Sequence, residues 1–157
     1  MLLAMCFDRI NGKLLWQHDI AKGISKDKRS NYASASPVTN GKIVVFFYAN
    51  GDLVCFDMNG RRQWARNIHD DYGPFAFQWT FSSSPTLFND KLYLQVLQRD
   101  VPVGGRGLKD QKNESYILAI EPDTGKTLWR HIRPSKAVKE SREAFTTPLP
   151  FPVNGEQ

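Results

Sequence analysis

The stretch AIEPDTGKTLW, residues 119–129, decides the fold of this chain, because its pattern occurs three times. Residues 6–16 read CFDRINGKLLW, and residues 55–64 read CFDMNGRRQW, one residue shorter. Each copy opens on a small residue (Cys6, Cys55, Ala119), then an apolar one, then an acid (Asp8, Asp57, Glu121). A turn carrying a glycine follows (Gly12, Gly60, Gly125), and a tryptophan stands four residues beyond it (Trp16, Trp64, Trp129). Self-similarity of this kind signals units that stack on one another to complete a shared core.

A second marker precedes each turn. Ser36-Pro37 leads into Asn40-Gly41-Lys42 and an apolar run over residues 43–48. Ser84-Pro85 leads into Asn89-Asp90-Lys91 and a run over residues 92–97, and Thr147-Pro148 precedes Asn154-Gly155. The second and third tryptophans stand farther apart than the first two, because a polar insertion, residues 98–115, lengthens the third unit. In the second unit, strands are expected near residues 32–36, over 42–48, over 52–57, and ending near Ala65. The pairs Asn40-Gly41, Asn50-Gly51 and Asn59-Gly60 separate them. Asn-Gly favours tight hairpins because both residues tolerate positive φ. The runs between are rich in Val, Ile, Phe and Tyr, which suit strands. Turn signals interrupt every window long enough for a helix, except for a short helical turn within residues 135–144.

Four-stranded units repeated every ~40–50 residues fit the blades of a β-propeller. A sandwich would not require a tryptophan at the same place in each unit. The sequence therefore predicts an all-β chain, a partial β-propeller of four-stranded antiparallel blades. The indole is large enough to fill the wedge between radially arranged sheets, and the turn glycine lets it approach closely.

These residues resemble the tryptophan-docking motif in the propellers of the pyrroloquinoline-quinone dehydrogenases. Non-enzymatic relatives share it, including the outer-membrane protein assembly propeller. The third unit is the nearest, through Ala119, Thr124, Gly125, Lys126 and Trp129, with Glu121 where the motif has Asp. The first has Asn11 in place of Thr, and the second has Arg61 in place of Lys. The resemblance covers nearly the whole chain and implies a full propeller of eight blades, in an extracytoplasmic parent, periplasmic or secreted. On that frame, residues 1–20 end one blade, 31–69 form a complete blade, 78–132 form another with insertion 98–115, and 144–157 begin the next. The chain reads as a fragment. An open arc exposes strand edges and inter-blade faces, so it calls for a partner: the remaining blades, another protein, or a second copy through the open edges.

Bulk composition is that of a globular domain: 157 residues, 41% hydrophobic, net charge +5. That charge suits an acidic partner but falls short of a nucleic-acid binder, which needs a continuous basic track interleaved with aromatics. No apolar run is long enough for membrane insertion. Cys6 and Cys55 occupy equivalent repeat positions and read as small buried residues, too far apart for a disulfide. His18 and His131 each follow a repeat tryptophan by two residues, and His69 stands apart; the three read as structural. Asp8, Asp57 and Glu121 each read as an acceptor closing its own turn. No nucleophile elbow, Walker sequence or zinc motif occurs. No catalytic, cofactor or metal residue is assigned.

Function should then lie in what does not repeat. The inter-blade connections 17–31, 66–80 and 131–144, together with the insertion, emerge on one face of the meander. Long loops on a rigid scaffold are where binding concentrates. This face carries Lys22, Lys26, Lys28 and Arg29, then Arg99, Arg106, Lys109 and Lys112, then Lys136, Lys139 and Arg142. Asp70, Asp71, Asp100 and Asp110 offset them, and Tyr72, Phe75, Phe77, Trp79 and Phe81 form an aromatic run. Asp71, Trp79, Arg99, Arg106 and Lys109 stand as the candidate binding face. Two functions remain: a non-catalytic scaffold for protein interaction, or a fragment of a quinone-dependent alcohol or sugar dehydrogenase. By resemblance the second needs a calcium site, a catalytic Asp and an aromatic floor under the cofactor, often with a disulfide of adjacent cysteines. None of these can be placed on this chain, and it has no Cys-Cys pair.

Overall fold

The computed structural model describes residues 1–22, 28, 30–151 and 153. The N-terminal pair β1 (Leu2–Phe7) and β2 (Leu14–Ala21) forms a two-stranded sheet. Strands β3 (Val38–Thr39), β4 (Ile43–Phe47), β5 (Asp52–Asp57) and β6 (Arg62–Asn67) form a four-stranded antiparallel meander in chain order. A short helix, α1 (Ile68–Tyr72), follows. Strands β7 (Thr86–Phe88), β8 (Lys91–Val96), β9 (Tyr116–Ile120) and β10 (Thr127–Ile132) form a second meander of the same order, and a 3-10 turn spans Lys139–Arg142.

The three repeats coincide in register. Cys6 pairs with Trp16, Cys55 with Trp64, and Ala119 with Trp129, each pair beside a β-bulge. A small residue opposite the indole leaves room for the ring, and the bulge adds local twist. The middle sheet is covered on both sides. Alternate residues of β5 point opposite ways: Val54 and Phe56 pack with Ala4, Trp16 and Ile20 of the first sheet. Leu53 and Cys55 join Leu92, Leu94, Val96, Tyr116, Leu118 and Ile120 of the third.

Trp16 and Trp64 each rest on the turn of the following sheet, not on that of their own. A Cβ built on Gly60 (φ +82°) would stand 2.7 Å from Cγ of Trp16, and one on Gly125 (φ +71°) 2.6 Å from Cε3 of Trp64. Trp16 Nε1 donates to Met58 O at 3.2 Å, and Trp64 Nε1 to Pro122 O at 2.7 Å. Only a glycine combines the left-handed φ with this approach. A second latch lies beside each of these two indoles. His18 Nε2 donates to Gly60 O at 2.7 Å, and Arg66 Nη1 donates to Gly125 O at 2.6 Å. The positions correspond, two residues past each tryptophan. At the outer sheets the same parts are open: Gly12 has no atom within 4 Å of its built Cβ, and Trp129 is 44% exposed.

Three details differ from the sequence reading. The first strand of the second unit is Val38–Thr39, after Pro37, rather than near residues 32–36. Ser36 N donates to Ser84 Oγ at 2.8 Å, so this backbone is spent on the neighbouring repeat. The helix α1 stands in a connection where none was expected, capped by the Asn67 side chain, which accepts from His69 N at 2.9 Å. Asp8 and Asp57 accept backbone amides of their own turns, Asp8 from Ile10 and Asn11, Asp57 from Asn59 and Arg61. Glu121 does not: its turn closes through the backbone bonds Glu121 N to Lys126 O and Gly125 N to Glu121 O. The extra methylene of glutamate carries the carboxylate past the reach of an Asx-type turn.

Candidate functional site

The elaborated face is one hydrogen-bonded body. The insertion leaves β8 at Gln98, which is 3% exposed. Gln98 Oε1 accepts Ala76 N at 2.8 Å, Gln98 Nε2 donates to Glu114 O at 2.8 Å, and Arg99 N donates to Ala76 O at 3.1 Å. A buried amide satisfied at both ends fixes the connection after α1 against the insertion. Asn113, also buried, closes the insertion on itself by bridging Leu108 N and O. Gly107 (φ +91°) lies against Ala76, where a built Cβ would meet the Ala76 Cβ at 2.7 Å.

The third connection is tied to the same body. Glu143 Oε1 pairs with Arg99 Nε and accepts Gln78 N at 2.9 Å, while Arg99 Nη2 donates to Gln78 Oε1. The two side chains are 12% and 4% exposed, so this ion pair is largely withdrawn from water. Arg142, also buried, donates to Ser135 O at 3.0 Å and Ala137 O at 3.3 Å, and its Nη1 lies 3.9 Å from Asp100 Oδ2.

Between these loops lies a recess of about 190 Å³. Tyr32, Phe75, Phe77, Trp79 and Phe81 line it, with His69, Thr80 and Arg106 among its polar groups. The rings already pack edge to face: Phe77 meets Phe81 at 5.3 Å and 69°, and Phe75 meets Phe77 at 6.3 Å and 90°. His69 stands edge-on to Phe75 with centroids 4.3 Å apart. Burial lowers its pKa to about 4, although Asp52 and Asp70 pull the other way, so the imidazole is neutral at pH 7. Arg106 Nη1 donates to Gln78 O at 3.2 Å.

The five residues read from the sequence separate into distinct roles. Trp79 and Arg106 meet at the recess. Arg99 lies within the ion pair with Glu143. Asp71 is on the outer edge, its Oδ2 2.7 Å from Arg66 Nη2, and so orients the seam latch. Lys109 is exposed on the insertion. Lys26 and Arg29 lie outside the described residues. Sequence reasoning missed Gln98, Glu143 and Tyr32, which lie far apart in the chain and carry no motif. It grouped His69 with the structural histidines, although its neighbour Asn67 is a legible helix cap. Cys55 is buried, and burial, with Asp123 and Asp57 nearby, raises its thiol pKa to about 12, so it is inert at neutral pH. Among the described residues, no three His, Cys, Asp or Glu side chains are grouped to hold a metal ion, and no helix is long and apolar enough to cross a membrane.

Residues 4–95 match the family described as outer membrane protein assembly factor BamB. No curated protein matches the chain at a significant level. Among solved structures, a europium-containing methanol dehydrogenase aligns at 16% identity with a TM-score of 0.57, over 83% of this chain and 21% of its own. The quinohemoprotein alcohol dehydrogenase of Comamonas testosteroni aligns at 15% and 0.53, over 83% and 18%. BamB of Moraxella catarrhalis aligns at 16% and 0.51, over 82% and 32%. The chain thus spans less than a third of the length of each of these structures. At such identities they establish the fold alone. By the match over residues 4–95, this chain belongs to the outer membrane protein assembly factor BamB family, with its pyrroloquinoline-quinone-type propeller repeats.

Proposed function

We propose that this chain is a non-catalytic propeller segment that docks a protein partner on its elaborated face, in a parent that works outside the cytoplasm. One observation carries the reading. The Arg99, Glu143 and Gln78 network joins the insertion to both connections beside it, so three loops present one preformed surface. Preformed surfaces lose little conformational entropy on binding. Exposed Val101, Val138, Lys109, Lys136 and Lys139 lie on these loops together with exposed Asp110 and Glu140, while Lys112 pairs with Glu114 at 3.3 Å, a mixed apolar and charged surface suited to a protein partner. The matched family is named for outer membrane protein assembly, which agrees with a docking role and an extracytoplasmic setting. In the same reading, the outer sheet faces at Gly12 and Trp129 are covered by further blades, and the chain divides into blades as its repeats suggest.

Photo-crosslinking tests this. A crosslinking residue at Val101 or Lys109 should give a discrete protein adduct, and one at Asp90, in the hairpin loop between β7 and β8 on the opposite face, should not. Equal labelling from both faces would overturn the reading. So would reduction of a dye by the chain supplied with calcium, pyrroloquinoline quinone and an alcohol, which would establish the dehydrogenase alternative.

A further inference from the structure

A cleft of about 360 Å³ opens where α1, the insertion and β10 meet, and Arg130 lines it. The guanidinium carbon of Arg130 stands 5.0 Å from the centre of the Tyr72 ring and 4.6 Å from that of the fully buried Tyr116. Stacking holds a guanidinium by its face and leaves its N–H groups, which lie in its plane, to other partners. Tyr72 is itself held, its Oη 2.9 Å from Thr127 Oγ1. The end of α1 is fixed against the insertion, since a Cβ built on Gly73 (φ +89°) would stand 2.9 Å from Cδ1 of Leu108. The cleft is therefore formed before anything enters it. Side chains alternate along a strand, so Arg130 and Trp129 lie on opposite sides of their sheet. A blade stacked on Trp129 covers the other side.

The remaining charges that line the cleft are paired within the chain. Asp71 Oδ2 accepts Arg66 Nε at 2.9 Å and Nη2 at 2.7 Å, and Lys112 Nζ lies 3.3 Å from Glu114 Oε1. Among the described residues, exposed Arg130 has neither a hydrogen bond nor an ion pair. Asp70, Lys109 and Asp110 are exposed close by in the chain but do not line the cleft, and water screens them. Arg66, Lys112 and Arg130 against Asp71 and Glu114 leave a surplus of one positive charge.

That surplus matches one carboxylate. A phosphate dianion would bring a second charge against Asp71 and Glu114, and a cation would meet Arg130. A carboxylate also fits the guanidinium fork with two parallel bonds. The cleft is larger than a carboxylate alone. Leu108 offers an apolar wall to the methylenes of a side chain, and Gln111 an amide to peptide groups. We propose that Arg130 binds the carboxylate of a glutamate or aspartate side chain of the docked partner. This rests on the docking reading and names the residue type that is recognised.

The test titrates short blocked peptides into the 157-residue chain, followed by NMR at the Arg130 Nε–H and the Tyr72 ring. The peptides carry glutamate, glutamine, lysine or phosphoserine between glycines, and acetate is the small-anion arm. The glutamate peptide should move both resonances saturably and bind at least tenfold tighter than the glutamine and lysine peptides. Arg130→Gln should weaken it about tenfold, equivalent to about 1.4 kcal/mol, read at Tyr72. Arg130→Lys keeps the charge but loses the fork and should weaken it about threefold; it remains decisive if Arg130→Gln disturbs the fold. Tighter binding of the lysine peptide overturns the charge assignment, and tighter binding of the phosphoserine peptide overturns the carboxylate. Acetate binding as tightly as the glutamate peptide assigns the cleft to a small anion and overturns a protein occupant. If the adducts at Val101 and Lys109 form but the glutamate peptide leaves Arg130 and Tyr72 unmoved, this inference fails and the docking reading stands. If those adducts are missing as well, both fail.

Discussion

Adding one methyl group at Gly125 places it 2.6 Å from Cε3 and 2.7 Å from Cδ2 of Trp64, on a backbone with φ of +71°. Gly125→Ala therefore meets two costs. The left-handed conformation costs a non-glycine residue about 1–2 kcal/mol. Overpacking against a ring that cannot retreat costs a further ~1–3 kcal/mol. The indole is held, because Trp64 Nε1 bonds Pro122 O at 2.7 Å and any tilt lengthens that bond. Gly12 provides the control. Its φ is +72°, yet nothing lies within 4 Å of its built Cβ. Gly12→Ala meets the conformational cost alone. The two variants should then differ by about 1–3 kcal/mol, seen in urea unfolding as a midpoint difference of roughly 0.5–1.5 M for a slope near 2 kcal/mol/M. Trp64→Ala supplies the third arm: in that background the cost of Gly125→Ala should fall to that of Gly12→Ala, a coupling that marks direct contact. Equal midpoints for Gly12→Ala and Gly125→Ala, or full additivity with Trp64→Ala, would refute the seam argument.

Arg66→Gln removes a charged donor from Gly125 O and Thr127 Oγ1 at a side chain only 19% exposed, and should cost about 2 kcal/mol in urea unfolding. Asp71→Asn, at a carboxylate 40% exposed, should cost less than ~1 kcal/mol. Glu143→Ala leaves the Arg99 guanidinium unpaired at 12% exposure and should destabilise by about 3 kcal/mol, with faster hydrogen exchange concentrated in residues 98–115. The His69 pKa is near 4 folded against 6.5 unfolded, so the unfolded chain binds the extra proton between those values. Stability should be full above pH 6.5 and fall as pH drops toward 4, by at most ~3 kcal/mol; a His69→Gln variant should show a flatter profile, and an unchanged slope would contradict this.

Much of the architecture was legible because the repeat places chemically similar residues in the same register. The pairs Cys6–Trp16, Cys55–Trp64 and Ala119–Trp129 are such positions, and a period of blade length follows from them. The partner of each indole was not legible. Trp16 lies four residues from Gly12 yet rests on Gly60, and no local pattern states which sheet packs on which. The second latch was hidden for a chemical reason: His18 and Arg66 look unlike but both donate to a glycine carbonyl. The helix α1 has five residues, too few for a periodicity to register, and only its Asn67 cap betrays it. On the candidate binding face, the aromatic run and Arg106 were readable as composition. The partition of Arg99 into an ion pair and Asp71 into a seam support depended on Glu143 and Arg66, which only folding brings near.

The central claim is that Trp16 and Trp64 each lie across the glycine of the next sheet, and glycine proton shifts test it most directly. In Gly60 and Gly125, the α-hydrogen in the place of a side chain points at an indole ring, and ring current should move it well upfield. The same hydrogen of Gly12 should resonate at an ordinary position. Upfield shifts at Gly60 and Gly125, lost in Trp16→Ala and Trp64→Ala respectively, are the predicted result. Three glycines with alike, unshifted α-hydrogens would contradict the account.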